Sequence, residues 1–299
     1  MRAVIRGYAS AALESASAAG RLPVAASDLA GFARALTAHD RLREVLMDDA
    51  FPATARAAVV AELLEGRASP EGGALLRFTV RYEEAGELPP TLAELTETAD
   101  HAVETGVDLG SQPEPEGSRS EVRDRIRGYS ERVLSELGAS DDVDEVEDEL
   151  FRIARLVDQH ADLRRVIGNP SAELAGRLAI VDDLLASRVR PATLRFVRYV
   201  LRAGHVRDLV GTLEWLVELA ALERGRRLAE ARVAVDLDDG ERTRLAAALG
   251  RLVDRPVEVR VVIDPNVIGG MLVSVGDLVI DGTVRLRLER LHDLLSAVG

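Results

Sequence analysis

The chain has no cysteine, no lysine, few aromatic residues and no long apolar run. Each shortage excludes something. Without cysteine there is no thiol nucleophile, no cysteine-ligated zinc site and no disulfide staple, which is compatible with a reducing compartment. Aromatics make up only 3% of the residues, so the cores must be built from Ala, Leu and Val, a composition suited to closely packed helices. No stretch reaches the roughly 18 apolar residues of a membrane-spanning helix. The closest, LVGTLEWLVELAAL, carries Glu214 and Glu218. The N-terminal segment has Glu14 inside a helical pattern and does not read as a signal peptide. All cationic side chains other than histidine are arginine, yet the net charge is −13. That balance leaves no basic surface for nucleic acid and no polybasic patch for an anionic membrane.

Catalytic patterns are missing as well. The histidines (His39, His101, His160, His205 and His292) are scattered, and none pairs at metal-ligand spacing. DDVDEVEDEL (Asp141–Leu150) is dense in carboxylates but lacks the glycine and spacing of a calcium loop. It reads as an acidic first helical turn, favoured by the helix dipole. VIGGM lacks the Gly-Lys-Ser/Thr ending of a phosphate loop, and no serine sits in a nucleophile elbow. The sequence therefore predicts a protein that is not an enzyme, with no cofactor and no metal. At 47% hydrophobic and 30% charged residues over 299 positions, it predicts two or three globular units.

What is present is a repeat. IRGY occurs at Ile5–Tyr8 and again at Ile126–Tyr129. HDRLREVL from His39 is echoed by HADLRRVI from His160, and Leu63 and Leu64 by Leu184 and Leu185. LLRFTVRYEEAG (Leu75–Gly86) resembles TLRFVRYVLRAG (Thr193–Gly204), after a small length change. Four echoes in one order mean a duplicated domain of about 100 residues. In the first copy Phe32, Leu36, Leu42, Val45 and Leu46 give the spacing of a buried helical face, and Leu156, Val157, Leu163, Val166 and Ile167 do so in the second. Pro52, Pro89, Pro90, Pro170 and Pro191 mark helix boundaries. Each copy is expected to be a bundle of five or six helices, over 1–105 and 121–228, joined by a Gly/Pro/Ser-rich linker at 106–120.

From 229 to 299 the period changes. AEARVAVDL alternates as a strand, and a helix follows with Asp238 and Glu241 placed as a capping box. PVEVRVVID is a second strand, and MLVSV and LVIDG flank Gly276–Asp277 as a hairpin. A last helix begins near Thr283 or Asp281, with Val284, Leu288, Leu291 and Leu295 along the stripe expected to cover its own sheet. The fold class is thus mainly α with a small α+β domain of order strand, helix, three strands, helix.

The closing stretch resembles the C-terminal signature of the delta subunit of F-type ATP synthases, the oligomycin-sensitivity-conferring protein family. The resemblance is carried by Asp264, Ile268, Gly269, Gly270, Val273, Gly276, Asp277, Ile280, Asp281, Gly282, Arg285, Arg287, Leu288 and Leu291. YASAAL (Tyr8–Leu13), the Asn169–Pro170 step and the run from Leu194 to Ala220 are similar to further family features. An ordinary member has one helical domain; this chain has two.

The resemblance implies a non-catalytic stator subunit on the cytoplasmic face of the bacterial membrane, associated with it only through the stalk. Its implied partners are the N-terminal helices of the alpha subunits of the catalytic head and a b-type stalk subunit, so that proton flow is coupled to ATP synthesis. An Ala-lined bundle suits helix-in-groove binding. Tyr8, Ala11 and Ala12 on the first helix fit either core positions or such a groove, and which copy meets the head stays open. The rival reading is a soluble helical adaptor that shares the architecture outside any ATP synthase.

Overall fold

The computed structural model describes residues 1–137, 141–169, 171–203, 208–223, 227–253, 257–275, 278–284 and 286. Among them are thirteen α-helices and four strands. The chain divides into two units, Met1–Leu213 and Glu214–Gly299. The first unit therefore holds both helical copies as far as Leu213, and the boundary falls within the last helix of the second copy.

The first copy holds α1 (Ala3–Ala18), α2 (Leu22–Ala38), α3 (Asp40–Leu46), α4 (Ala53–Leu64), α5 (Pro70–Tyr82) and α6 (Leu88–Thr105). The second holds α7 (Arg119–Leu137), α8 (Asp141–Gln159), α9 (Ala161–Ile167), α10 (Leu174–Leu185), α11 (Pro191–Arg202) and α12 (Leu209–Glu223). Ala53 answers Leu174, Pro70 answers Pro191 and Leu88 answers Leu209, each at an offset of 121 residues. The offset never changes, so the length change expected between α5 and α11 is absent. The two LRF tripeptides lie three residues out of step. Phe78 is answered instead by Tyr199, because each stacks on the tyrosine of its own IRGY: Tyr8 on Phe78 at 3.8 Å, Tyr129 on Tyr199 at 3.7 Å.

Local chemistry explains the helix ends. Pro52 is the N-cap of α4, and Pro70 and Pro191 open α5 and α11, where a missing N–H costs nothing. Pro89 and Pro90 lie in the first turn of α6, and Pro170 lies outside the described residues. Asp28 accepts from the N–H and hydroxyl of Ser69 at 2.8 and 2.6 Å, while its counterpart Glu149 accepts from the Arg190 N–H at 2.9 Å and from Thr193 at 2.5 Å. One carboxylate per copy thus anchors the start of α5 or α11. Ser118 and Glu121 form a reciprocal capping box ahead of α7, a signal legible in the SRSE tetrapeptide.

The first core gathers Ile5, Leu13, Leu29, Leu46, Val60, Leu76, Leu92 and Leu95. In the second copy, α8 buries Val143, Val146, Leu150, Ile153, Ala154 and Val157. Leu156 and Val166, expected on the buried face, are 40% and 44% exposed. The 3–4 spacing of α8 runs through Ile153 and Val157, which turns Leu156 toward water.

The connection is not a free tether. Gly106 ends α6 in the left-handed region (φ +60°), as a glycine C-cap does. The segment then lies along α11: Arg198 and Arg202 donate to the carbonyls of Gly110 and Gln112, and the Glu114 N–H donates to the Arg202 carbonyl.

In the second unit the sheet order is β2-β1-β3-β4, with β1 (Arg227–Val233), β2 (Val257–Ile263), β3 (Met271–Val275) and β4 (Leu278–Asp281). β1 and β2 are parallel, joined through α13 (Asp239–Val253), and the β1–β3 and β3–β4 pairs are antiparallel. β1 stops at Val233, short of the expected Leu237, and Val235 is 77% exposed. Asp238 and Glu241 form the expected capping box at α13, with bonds of 3.0 and 2.7 Å. Leu245 and Leu249 of α13 cover Ala229, Ala231 and Val273 of the sheet.

Candidate functional site

The largest packed surface between the two helical copies is the one between α1 and α7. Two glycines set it. A Cβ on Gly7 would lie 2.6 Å from the Arg125 carbonyl carbon, and one on Gly128 would lie 2.9 Å from that of Val4. Gly7 and Gly128 occupy the same place in IRGY, and Val4 and Arg125 are likewise counterparts. The contact is therefore reciprocal. Farther along, Ser15 donates to its own counterpart Glu136. Residue numbers rise together on both helices, so α1 and α7 run parallel, their backbones drawn close where side chains are absent.

Around this seam lies a polar network that sequence reading did not find. Glu14 of α1 accepts from the Tyr129 hydroxyl at 2.7 Å and pairs with Arg202. Arg202 is 5% exposed and also lies 3.7 Å from Glu114, which accepts from Ser10 at 2.6 Å. Arg195 bridges the copies, donating to the Ala11 carbonyl at 3.1 Å, to Ser15 at 3.0 Å and to Glu136 at 2.8 Å. Burial, reinforced by the Glu14 charge, holds the Tyr129 hydroxyl well above the usual phenol range. It is a donor at every working pH. Arg195 and Arg202, with Glu14, Ser15, Asp108 and Leu194, line a cleft of about 350 Å³.

Tyr8, Ala11 and Ala12 are all buried. Ala12 belongs to the first core. Tyr8 meets Arg132 of α7, and the Ala11 carbonyl takes the Arg195 hydrogen bond. These three positions are thus taken up by the first copy's own core and by the second copy together. An open groove of about 810 Å³ lies instead between α2 and α6, lined by Ala30, Ala33, Ala93 and Thr96, with Glu97 and Asp100 at its rim.

The second unit brings part of its signature together. Gly270 adopts φ +77°, and a Cβ there would come within 3.0 Å of the Thr283 Cα. Gly282 N–H donates to the Met271 carbonyl, and Val284 N–H to that of Gly269, both at 2.9 Å. The double-glycine step thus lets the end of β4 cross tightly over the start of β3. Asp281 accepts from the Thr283 N–H at 2.8 Å, and the Thr283 hydroxyl accepts from the Leu286 N–H at 3.3 Å, the kind of bond an N-cap side chain makes. Asp264 accepts from the Asn266 N–H and side-chain amide, both at 2.9 Å, and these bonds hold its carboxyl below the usual range. Ile268 is 77% exposed. Val275 pairs with Leu278, which leaves two residues for the hairpin loop. Those residues, Gly276 and Asp277, lie outside the described residues, as do Arg285, Arg287, Leu288, Leu291 and Leu295.

Among the described residues no group of His, Asp or Glu could hold a metal ion. His39 and His160 are exposed at the N-cap positions of α3 and α9, without side-chain cap bonds. His101 faces the α2–α6 groove, and His205 and His292 lie outside the described residues. No described helix is long and apolar enough to cross a membrane.

The family model described as ATP synthase delta (OSCP) subunit matches residues 4–106 and 127–295. The ATP synthase subunit delta of Parafrankia sp. (strain EAN1pec) is 32% identical over 88% of this chain and 83% of its own length. That of Salinispora tropica is 33% identical, covering 91% and 88%. That of Streptomyces coelicolor is 32% identical, covering 88% and 85%.

Proposed function

The chain belongs to the ATP synthase delta (OSCP) family, and we propose that it serves an F-type ATP synthase as a non-catalytic peripheral-stalk subunit. In this reading it ties the alpha-subunit N-terminal helices of the catalytic head to a b-type stalk. It sits peripherally on the cytoplasmic face and meets the membrane only through that stalk. By resisting rotor torque it keeps proton flow coupled to ATP synthesis.

The observation that carries this reading is the second matched stretch. It runs from 127 to 295 without a break, through the second helical copy and into the unit built on the glycine crossover. The first copy, matched separately over 4–106, is an addition to that body. Two further features support it. The second unit exposes Ile263, Ile268 and Val279, apolar side chains that suit the end of a stalk helix pair. The helical unit contains a buried ion pair between copies, Glu14 with Arg202, which favours a stiff body over a flexible tether.

Adding the full chain to membranes stripped of their own delta subunit tests the function. Restored ATP-driven proton pumping, with saturable calorimetric binding of a synthetic alpha-subunit N-terminal helix, is the expected outcome. A folded chain that neither restores pumping nor binds that helix overturns the stator reading and favours the adaptor.

A further inference from the structure

The two faces that meet at the α1–α7 seam are built alike, but they are not interchangeable. At two equivalent positions α1 is short where α7 is long. Ala11 corresponds to Arg132 and Ser15 to Glu136, and the Ser15 hydroxyl meets Glu136 across the seam. Glu14 corresponds to Ser135, so only the first copy supplies the carboxylate that pairs with Arg202. Two first copies set face to face would leave voids where Ala11 and Ser15 meet their own kind. Two second copies would bring Glu136 against Glu136 and leave Arg202 without Glu14, like charges together and a buried cation poorly paired. Specificity of this kind comes from the wrong pairings being penalised as well as the right one being favoured.

We propose that the α1/α5 face of the first copy and the α7/α11 face of the second are a matched pair. Each is the dedicated occupant of the other, and the sister copy in the same chain is the partner. The connection enforces the intrachain choice, because Gly110, Gln112 and Glu114 are bonded to α11 while Glu114 also takes the Ser10 hydroxyl of α1. The duplication is then an intramolecular heterodimer, locked where Gly7 and Gly128 let two backbones touch. Its α1 face is closed to any third helix, so a partner helix docks on another surface. The matched pair itself does not depend on the stator reading.

The chain has no cysteine, so a single engineered pair reports the seam in the intact protein. The double variant Ser15→Cys/Glu136→Cys, treated with a short bismaleimide at low protein concentration, is expected to give a looped monomer. Adding Gly128→Ala to it should slow that reaction about tenfold or more. The circular-dichroism helix signal should hold, since alanine is the better helix former. Gly31→Ala, where an added Cβ meets nothing within 4 Å, should leave the rate unchanged. Crosslinks only between chains, or a folded Gly128→Ala variant that reacts as fast as its parent, overturn the proposal.

A second variant covers failure of Gly128→Ala to fold. Ser15→Glu, at the rim of the seam, copies the second copy's residue into the first. It should raise protease nicking within 107–118 several-fold, and adding Glu136→Ser should restore resistance. Unchanged nicking in Ser15→Glu, or no restoration in the double variant, counts against the matched pair. No partner helix enters either assay, so a failure of the stator reading would leave both results standing.

Discussion

The two helical copies share a frame and differ on the face they turn toward each other. Positions that hold each bundle together kept their kind across the offset of 121. Asp28 and Glu149 anchor α5 and α11, and Arg56 and Arg177 are both buried. At the seam the two glycines are alike, Gly7 and Gly128, but the side chains farther along diverged: Ala11 from Arg132, Glu14 from Ser135, Ser15 from Glu136. Residues serving one bundle answer to a geometry that both copies repeat. The diverged seam side chains answer to a partner that is different on each side, so there they are complementary rather than alike.

The comparison breaks most sharply at Glu14 and Ser135. Glu14 is the carboxylate beside Arg202 and the acceptor for Tyr129. Removing one partner of a buried ion pair leaves an uncompensated charge and costs roughly 3 kcal/mol or more. Glu14→Ala is therefore expected to lower stability by about 3 kcal/mol in urea unfolding. Ser135 is exposed and bonds the Arg132 carbonyl of its own helix at 2.7 Å. Ser135→Ala should stay within about 0.5 kcal/mol of the parent. Equal losses from the two variants would mean that the seam is not charge-matched.

A middle-sized effect sharpens the shared part of the frame. Arg56 donates to the Leu46 carbonyl at 2.9 Å and to the Glu83 carbonyl at 3.5 Å, taking up the C-terminal end of α3 and the chain after α5. Arg177 makes the corresponding bond to the Ile167 carbonyl, but at 3.5 Å. Burial alone pulls the Arg177 guanidinium below its usual range. Replacing Arg56 by methionine keeps the volume and orphans two carbonyls, with an expected cost of about 2 kcal/mol. Arg177→Met should cost about 1 kcal/mol or less, since its bond is long and its charge is costly to bury. Hydrogen exchange in α3 and α9 would separate the two, with the larger loss of protection expected in α3.

Much of this frame was legible in the sequence, and the reason is local. IRGY, the prolines at helix starts and the Asp238–Glu241 box act within one turn of chain, where residue type and spacing decide the outcome. The glycine crossover at Gly270 was legible as well, because a left-handed backbone narrows the choice of residue. The seam was not. Glu14, Tyr129 and Arg202 are far apart in sequence, and no period links them. Tyr8, Ala11 and Ala12 fitted either a core or an open groove, since small residues at helical spacing serve both. The α5–α11 register was misread for a related reason. A three-residue match in LRF outweighed an unchanged offset, and the helix starts and the tyrosine stacking partners resolved it.

The smallest effect separates the copies by pH. Glu71 is buried at the start of α5 and pairs with Arg21, with a second bond of 3.1 Å to the guanidinium Nε. That hydrogen bond holds its carboxyl below the usual range, against the opposing pull of burial. A depressed folded value means that the bond's contribution is complete above the unfolded pKa, near 4.5, and fades as pH falls through the folded one. At the same offset the second copy has Ala192 and Asp142, so the Arg21–Glu71 pair is not repeated; the α11 start is held by Glu149, and Arg190 pairs with Glu145. On acidification below about pH 4.5, hydrogen-exchange protection at the α5 start should decline before that at the α11 start. Glu71→Gln should remove the difference in pH response and lower α5 protection slightly at neutral pH. If both helix starts lost protection together in the parent chain, the Arg21–Glu71 pair would not be what distinguishes them.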